Sequence, residues 1–471
     1  MVLININRHG KGIFRQYLST LFGTFCMAIV GTATGWPSPI LIKMRNNETP
    51  FQLNTTEVSW MVSLLFLGTM FSPVPTAYLM DKVGRRRVLL MFTVLPLMSW
   101  ILIYFATSPM FLYLARFLAG LWAGVSQTIL PVYIGEIAEP KIRGSLSTFN
   151  NLLLNGGVLF SYVVGPYVSY HALAAIFAVM TVIYFCMFII IPESPYYYMM
   201  RHREEDAFKS LTWLRGNIAS TEIEAELNDI SQGLQQQMEH KGGFKEIFRD
   251  KGNRKGFIIS EVYAVLKRLS GSGVLQAYAS VTLPALTFGF LNPDECVVIV
   301  GTVSLLSSVG SVFVAAFFNR RHLMTVSCAI SGTVMAAVMV WFFLNDKTAI
   351  DVKDYNFTTF ISFVIFYSTF NFGLGPIGAS IKGEMFSANV RALSSSLTTI
   401  LVSLTSFFLN RFYLIVANSF GMYINYLIFS VSCFAAIAFT WLYVPDTHGK
   451  TLKEIQEILH KDKRKTENSR Q

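Results

Sequence analysis

The stretch YLSTLFGTFCMAIVGTATGWPSPIL, residues 17–41, carries no charged side chain. At about 1.5 Å of rise per residue it is long enough to cross the hydrocarbon core of a bilayer as a helix. Its apolar residues do not alternate with polar ones, as those of a barrel strand would. In lipid, backbone amides and carbonyls find no water, so a run of this kind must pair its own backbone as a helix. Comparable runs recur at about 58–79, 88–106, 110–134, 146–168, 173–191, 257–286, 296–317, 324–343, 357–381, 393–416 and 421–444. The sequence therefore predicts an all-α membrane protein with twelve transmembrane helices. Composition agrees, with 53% hydrophobic and 14% charged residues, against about a quarter charged in soluble domains.

An even number of spans puts both termini on one face, and the excess of Lys and Arg makes that face the cytoplasm. Most of the 38 Lys and Arg then fall in cytoplasmic turns and tails, while Lys43, Arg45, Lys347, Lys353 and Arg411 fall outside. The net charge of +10 reads as this bias between faces, not as a nucleic-acid-binding patch. Three N-glycosylation sequons, at Asn47, Asn54 and Asn356, all lie in loops that the charge pattern places outside. Five segments are expected: a cytosolic N-tail 1–16, a first bundle 17–192, a helical linker 193–255, a second bundle 256–445 and a cytosolic C-tail 446–471. Within the linker, Ile223, Leu227, Ile230 and Leu234 keep helical spacing, and Thr221 with Glu224 forms a capping box.

Cys26, Cys186, Cys296, Cys328 and Cys433 are scattered through apolar stretches and show no paired or metal-ligand spacing. No phosphate-binding loop, metal-ligand cluster or nucleophile constellation appears, so an enzyme reading is rejected and no cofactor is expected. The expected partners are a small-molecule solute and the lipid bilayer. Oligomeric state is not legible.

Charged motifs stand between the spans. Asp81-Lys82-Val83-Gly84-Arg85-Arg86-Arg87 joins spans two and three. Pro131-Val132-Tyr133-Ile134-Gly135-Glu136-Ile137-Ala138-Glu139-Pro140-Lys141-Ile142-Arg143-Gly144 follows span four, in which Arg116, Gly120 and Gly124 show small-residue spacing suited to close helix packing. Pro192-Glu193-Ser194-Pro195 follows span six, and Pro445-Asp446-Thr447-His448-Gly449-Lys450-Thr451-Leu452 follows span twelve.

This ordered set resembles the sugar porter family of the major facilitator superfamily over nearly the whole chain. Gly35-Trp36-Pro37-Ser38-Pro39 and Ser59-Trp60 look most like the insect facilitated trehalose transporters. The resemblance implies two pseudo-symmetric six-helix bundles, the major facilitator fold, with a central site exposed alternately to each side. It also implies that cytosolic carboxylates and arginines pair when the inner gate closes. Here those residues are Asp81, Arg85, Arg86, Glu136, Arg143, Glu193, Glu384 and Arg391. Arg320 and Arg321 match the basic half of the second copy, where Ala316 replaces the acid and Asn319 the glycine.

The central site departs from the family. Where sugar porters carry a Gln-Gln pair in span seven, this chain has Lys267 and Arg268, and Gly273 replaces a following Asn. Ser304 replaces an Asn of span eight, Ala379 stands at a Trp position of span ten, and Asn151 replaces a Gln of span five. An amide both donates to and accepts from a hydroxyl, whereas Lys and Arg only donate. Each mismatched bond is worth about 0.5–1.5 kcal/mol net. A cation near mid-membrane costs about 2.5–3.5 kcal/mol or more unless it meets water or a partner. Lys267 is therefore expected to line a wet cavity, with Glu261 partly neutralising Arg268 on the same helix face.

Span one holds no Asp or Glu between Leu18 and Ile40, which favours facilitated diffusion in the plasma membrane over proton coupling. Three readings stand: a facilitative carrier of trehalose or hexose, a carrier of an anionic solute, and a non-transporting solute sensor.

Overall fold

The computed structural model describes residues 2–216, 218–239, 248–249, 251–283, 291–317, 320–348, 350, 352, 355–375 and 388–444. Among them, eight helices are long and apolar enough to cross a membrane, and a ninth forms if Thr55–Phe71 and Pro73–Val83, bent by 46°, count as one span. The three other expected spans contain the helices Arg143–Val164, Lys251–Leu269 with Ser272–Ala277, and Phe357–Phe372, which differ in character. Arg143–Val164 carries Asn150, Asn151 and Asn155, the span-seven helix is interrupted after Leu269, and Phe357–Phe372 is short. The chain is a multi-pass, all-α membrane protein.

Two compact units divide the chain, Met1–Glu239 and His240–Gln471. The segments drawn from the sequence are redrawn at two places. The described residues ahead of span one, 2–16, are helical and run without a break into it, as one helix Val2–Gly35. The linker helices Pro195–Met200, Glu204–Leu214 and Ser220–Glu239 belong to the first unit. There Ile223, Leu227 and Ile230 close an apolar cluster with Ala207 and Leu211, and Leu234 packs at its edge. The helix starts at Ser220, so Thr221 lies inside the first turn instead of capping it. The C-tail lies outside the described residues.

Helix starts follow local chemistry. Pro37, Pro73, Pro109 and Pro195 each open a helix, where the missing N–H would have had no helical partner. Asn54 opens Thr55–Phe71 with a reciprocal cap: its side-chain oxygen accepts from the Glu57 amide at 2.9 Å, and Glu57 accepts from the Asn54 amide at 2.8 Å. Of the other two sequon residues, Asn47 is exposed in a left-handed conformation at φ 60°, and half-buried Asn356 precedes Phe357–Phe372.

The small-residue spacing of span four is used as the sequence predicts. A Cβ on Gly120 would overlap the Leu65 carbonyl, and one on Gly124 would meet Thr69 and Ser72, so spans two and four touch at the backbone. Buried Arg116 fixes the same region by donating to the carbonyls of Met61, at 3.1 Å, and Ala33. Its guanidinium lies 5.6 Å from the Trp36 ring. In the second unit, Ile259, Tyr263, Met324, Cys328 and Leu374 form a buried core, joined by Ala436 and Val444.

Candidate functional site

At one end of the first unit, the Asp81–Arg87 turn meets the end of Pro109–Ile137 and the Pro192–Ser194 corner. Arg85 is 5% exposed, so its charge needs close partners. Its Nε and Nη2 both donate to Glu136 Oε1, at 3.1 and 2.9 Å, and its Nη1 donates to the Met80 carbonyl at 3.2 Å. Asp81 lies 3.3 Å away, but its side chain is 58% exposed against 14% for Glu136. Water screens the first pair more than the second, so Glu136 is the principal partner.

Glu193 is fully buried, yet among the described residues it forms no ion pair with an arginine side chain of the kind the resemblance implied. Its Oε1 accepts from the backbone amides of Arg86, at 2.9 Å, and Ser194, at 3.0 Å, and its Oε2 from that of Arg87 at 3.2 Å. The carboxylate thus caps the helix Arg85–Phe92, where free amides and the helix dipole favour an anion. Gly84 makes this possible, with φ 116° and ψ 155°. A Cβ there would stand 3.0 Å from the Glu193 carboxyl carbon. The Arg86 guanidinium donates to the Ile189 carbonyl. Arg143 departs from the expected gate: it is exposed, donates to the Ala138 carbonyl at 3.4 Å, and forms no ion pair among the described residues.

A second charged network escaped the sequence reading. Buried Gln16 donates to Glu139 Oε1 at 2.7 Å and accepts from the Glu139 amide at 2.9 Å. Buried Arg215 makes two bonds to Glu226, at 3.0 and 2.6 Å, and donates to the Ile137 carbonyl at 2.9 Å. The linker helices are therefore bolted to spans one and four. Helical phase offered the only signal, since it puts Arg215 one turn past the apolar Leu211.

In the second unit, Arg321 donates to the Trp441 carbonyl at 2.6 Å and lies 4.3 Å over that ring. Arg320 and Arg391 stand in the first turns of Arg320–Lys347 and Ala388–Phe420. Ala379 and Glu384, like Asn319, lie outside the described residues, and of Ala316 only its place in Pro293–Phe317 is described.

Span seven is broken where the family departure falls. The helix Lys251–Leu269 ends, Gly271 takes a left-handed turn at φ 88°, and Ser272–Ala277 follows. Lys267 and Arg268 occupy the last turn, where the negative end of the helix dipole favours cations. Lys267 is half-buried, and its ammonium donates to the Gly375 carbonyl at 2.6 Å and lies 5.7 Å from the Phe370 ring. The Gly375 carbonyl offsets part of its desolvation. Arg268 Nη1 lies 3.3 Å from where a Cβ on Gly273 would be; the guanidinium uses space that a larger residue would claim. Glu261 does not neutralise Arg268 by an ion pair among the described residues; buried, it accepts from the Thr398 hydroxyl. Ser304 accepts at both its carbonyl and its hydroxyl from Asn371 Nδ2, each at 3.0 Å, which adds a span-ten amide that sequence reasoning missed. Asn151 is exposed on Arg143–Val164 in the first unit.

Comparison with known proteins fits this arrangement. The family described as Sugar (and other) transporter matches residues 19–459. A facilitated trehalose transporter, Tret1 of Drosophila willistoni, is 29% identical over 450 residues, covering 95% of this chain and 51% of the relative. The Anopheles gambiae Tret1 is 27% identical over 449 residues, covering 95% and 56%. The chain thus spans about half the length of these relatives. Among solved structures, the partially occluded inward-open xylose transporter XylE from E. coli aligns with a TM-score of 0.76 at 19% identity, covering 93% of this chain and 99% of that one. A second XylE structure, described as a major facilitator superfamily proton:xylose symporter bound to 6-bromo-6-deoxy-D-glucose, aligns with a TM-score of 0.76 at 20% identity, covering 95% and 100%. The fold is that of the major facilitator superfamily, and the chain belongs to the sugar (and other) transporter family.

Proposed function

We propose that this chain is a facilitative transporter of a sugar, trehalose or a hexose, working by alternating access of its two units. It would lie in the plasma membrane with both termini in the cytoplasm. The observation that carries the reading is the family match over 19–459, joined to a charged Arg85–Glu136 clamp in the first unit. Facilitated rather than coupled movement is supported by span one, which offers no carboxylate to hold a transported proton. Asn151 and Asn371 are amides able to serve sugar hydroxyls in both directions.

A second reading is favoured by Arg268, to which no described residue makes a hydrogen bond or ion pair. A guanidinium in that condition suits a carboxylate or phosphate, which it can grip with two parallel bonds. One assay separates the two readings: uptake of labelled trehalose, glucose, a sugar phosphate and an organic acid by the purified chain in liposomes. Saturable sugar uptake that survives collapse of the proton gradient is the expected result. Sugar uptake that vanishes with the gradient would overturn facilitation. Organic-acid or sugar-phosphate flux that Arg268→Gln abolishes would replace the sugar reading with the anionic one.

A further inference from the structure

Two residues one helical turn apart on span seven reach the same place on span ten. Tyr263 donates its hydroxyl to the Leu374 carbonyl at 3.2 Å, and Lys267 donates its ammonium to the Gly375 carbonyl at 2.6 Å. Leu374 and Gly375 directly follow the break at Gly373 that ends Phe357–Phe372. The break is held from span nine as well: the Ser327 hydroxyl donates to the Thr369 carbonyl at 2.6 Å and accepts from the Leu374 amide at 3.2 Å. Around an interrupted membrane helix, backbone groups depend on side chains for partners that regular helix would have supplied.

We propose that Lys267 is a positioning residue, a charged strut that ties the break of span seven to the break of span ten, and not a solute ligand. Three observations converge on it. The ammonium sits in the last turn of Lys251–Leu269, where the dipole favours it. It makes a short charge-assisted bond to a carbonyl 108 residues away in sequence. Its approach to the Phe370 ring holds the cation on the same side of span ten. Tyr263, buried one turn earlier, is the neutral second leg of the strut. A division of labour follows: Lys267 fixes the spacing of spans seven and ten, and Arg268 alone of the two cations remains for recognition.

The test needs no solute. Hydrogen–deuterium exchange is followed over residues 366–375 in the purified full chain, which contains the Gly373 and Leu374 amides. Lys267→Met is expected to speed exchange there about tenfold or more, the scale of one lost charge-assisted hydrogen bond. Lys267→Arg, which keeps a charged donor, is expected to restore near-native protection. Tyr263→Phe, a smaller change that serves if Lys267→Met fails to fold, is expected to speed exchange about three- to tenfold. Peptides of the first unit should not change. Native exchange over 366–375 in both Lys267→Met and Tyr263→Phe would overturn the strut, as would failure of Lys267→Arg to protect. Because exchange is read without transport, this outcome is independent of whether the chain carries sugar, an anion or neither.

Discussion

Replacing Arg85 by methionine is expected to destabilise the first unit by about 3–5 kcal/mol, the range for removing one partner of a buried ion pair. The cost arises on the other side of the contact. Glu136 would keep a largely buried carboxylate and lose both bonds that Arg85 gives to its Oε1. Arg85→Lys should recover only part of the loss, because one ammonium does not reproduce a guanidinium that donates to Glu136 and to the Met80 carbonyl from different nitrogens. Asp81→Asn provides the contrast. Its side chain is 58% exposed, so its removal should cost no more than about 1 kcal/mol. Thermal unfolding of the detergent-solubilised variants ranks the three, and equal losses for Arg85→Met and Asp81→Asn would contradict the assignment of Glu136 as principal partner.

Gly84→Ala carries the second large effect. Its φ of 116° and ψ of 155° lie in a region that only glycine enters without strain, and a side chain there costs about 1–3 kcal/mol through the backbone alone. The added methyl also runs into the Glu193 carboxylate, which would have to release amides at Arg86 and Arg87. Glu193→Ala removes the same acceptor by another route. Since both changes act through one carboxylate, the double variant should fall short of the sum of the single losses by about 0.5 kcal/mol or more. Additive losses in a thermal or denaturant series would mean that the glycine and the glutamate act separately.

The spans were legible because lipid leaves the chain few choices. An uncharged run such as 17–41 can only be a helix, and the spacing of Gly120 and Gly124 announced a backbone-close contact that the Leu65 carbonyl and Ser72 confirm. Two residues of the charged motifs, Arg85 and Glu136, form an ion pair. Partners made of backbone were not legible. Nothing in the letter at 193 says that its carboxylate will find amides rather than guanidiniums, since the helix start at Arg85 comes from a neighbouring span. Lys267 fails to announce its role for the same reason: the price of a mid-membrane cation can be read from the sequence, but the carbonyl that offsets it belongs to Gly375. The polar outliers misled in a different way. Glu261 and Arg268 share a helix face by spacing, yet Thr398 from span eleven reaches Glu261. Gln16 looked like part of a tail, yet it lies on the helix Val2–Gly35 and bonds to Glu139.

Entrance counterflow in proteoliposomes tests the carrier reading most directly. Vesicles loaded with unlabelled trehalose or glucose are diluted into a trace of the labelled sugar, with no proton or ion gradient imposed. A binding site that faces one side at a time must return loaded, so labelled sugar should accumulate transiently above its outside concentration and then decay. Uptake that rises only to equilibrium would describe a channel, and binding without any entry would describe a sensor; either result would contradict an alternating carrier.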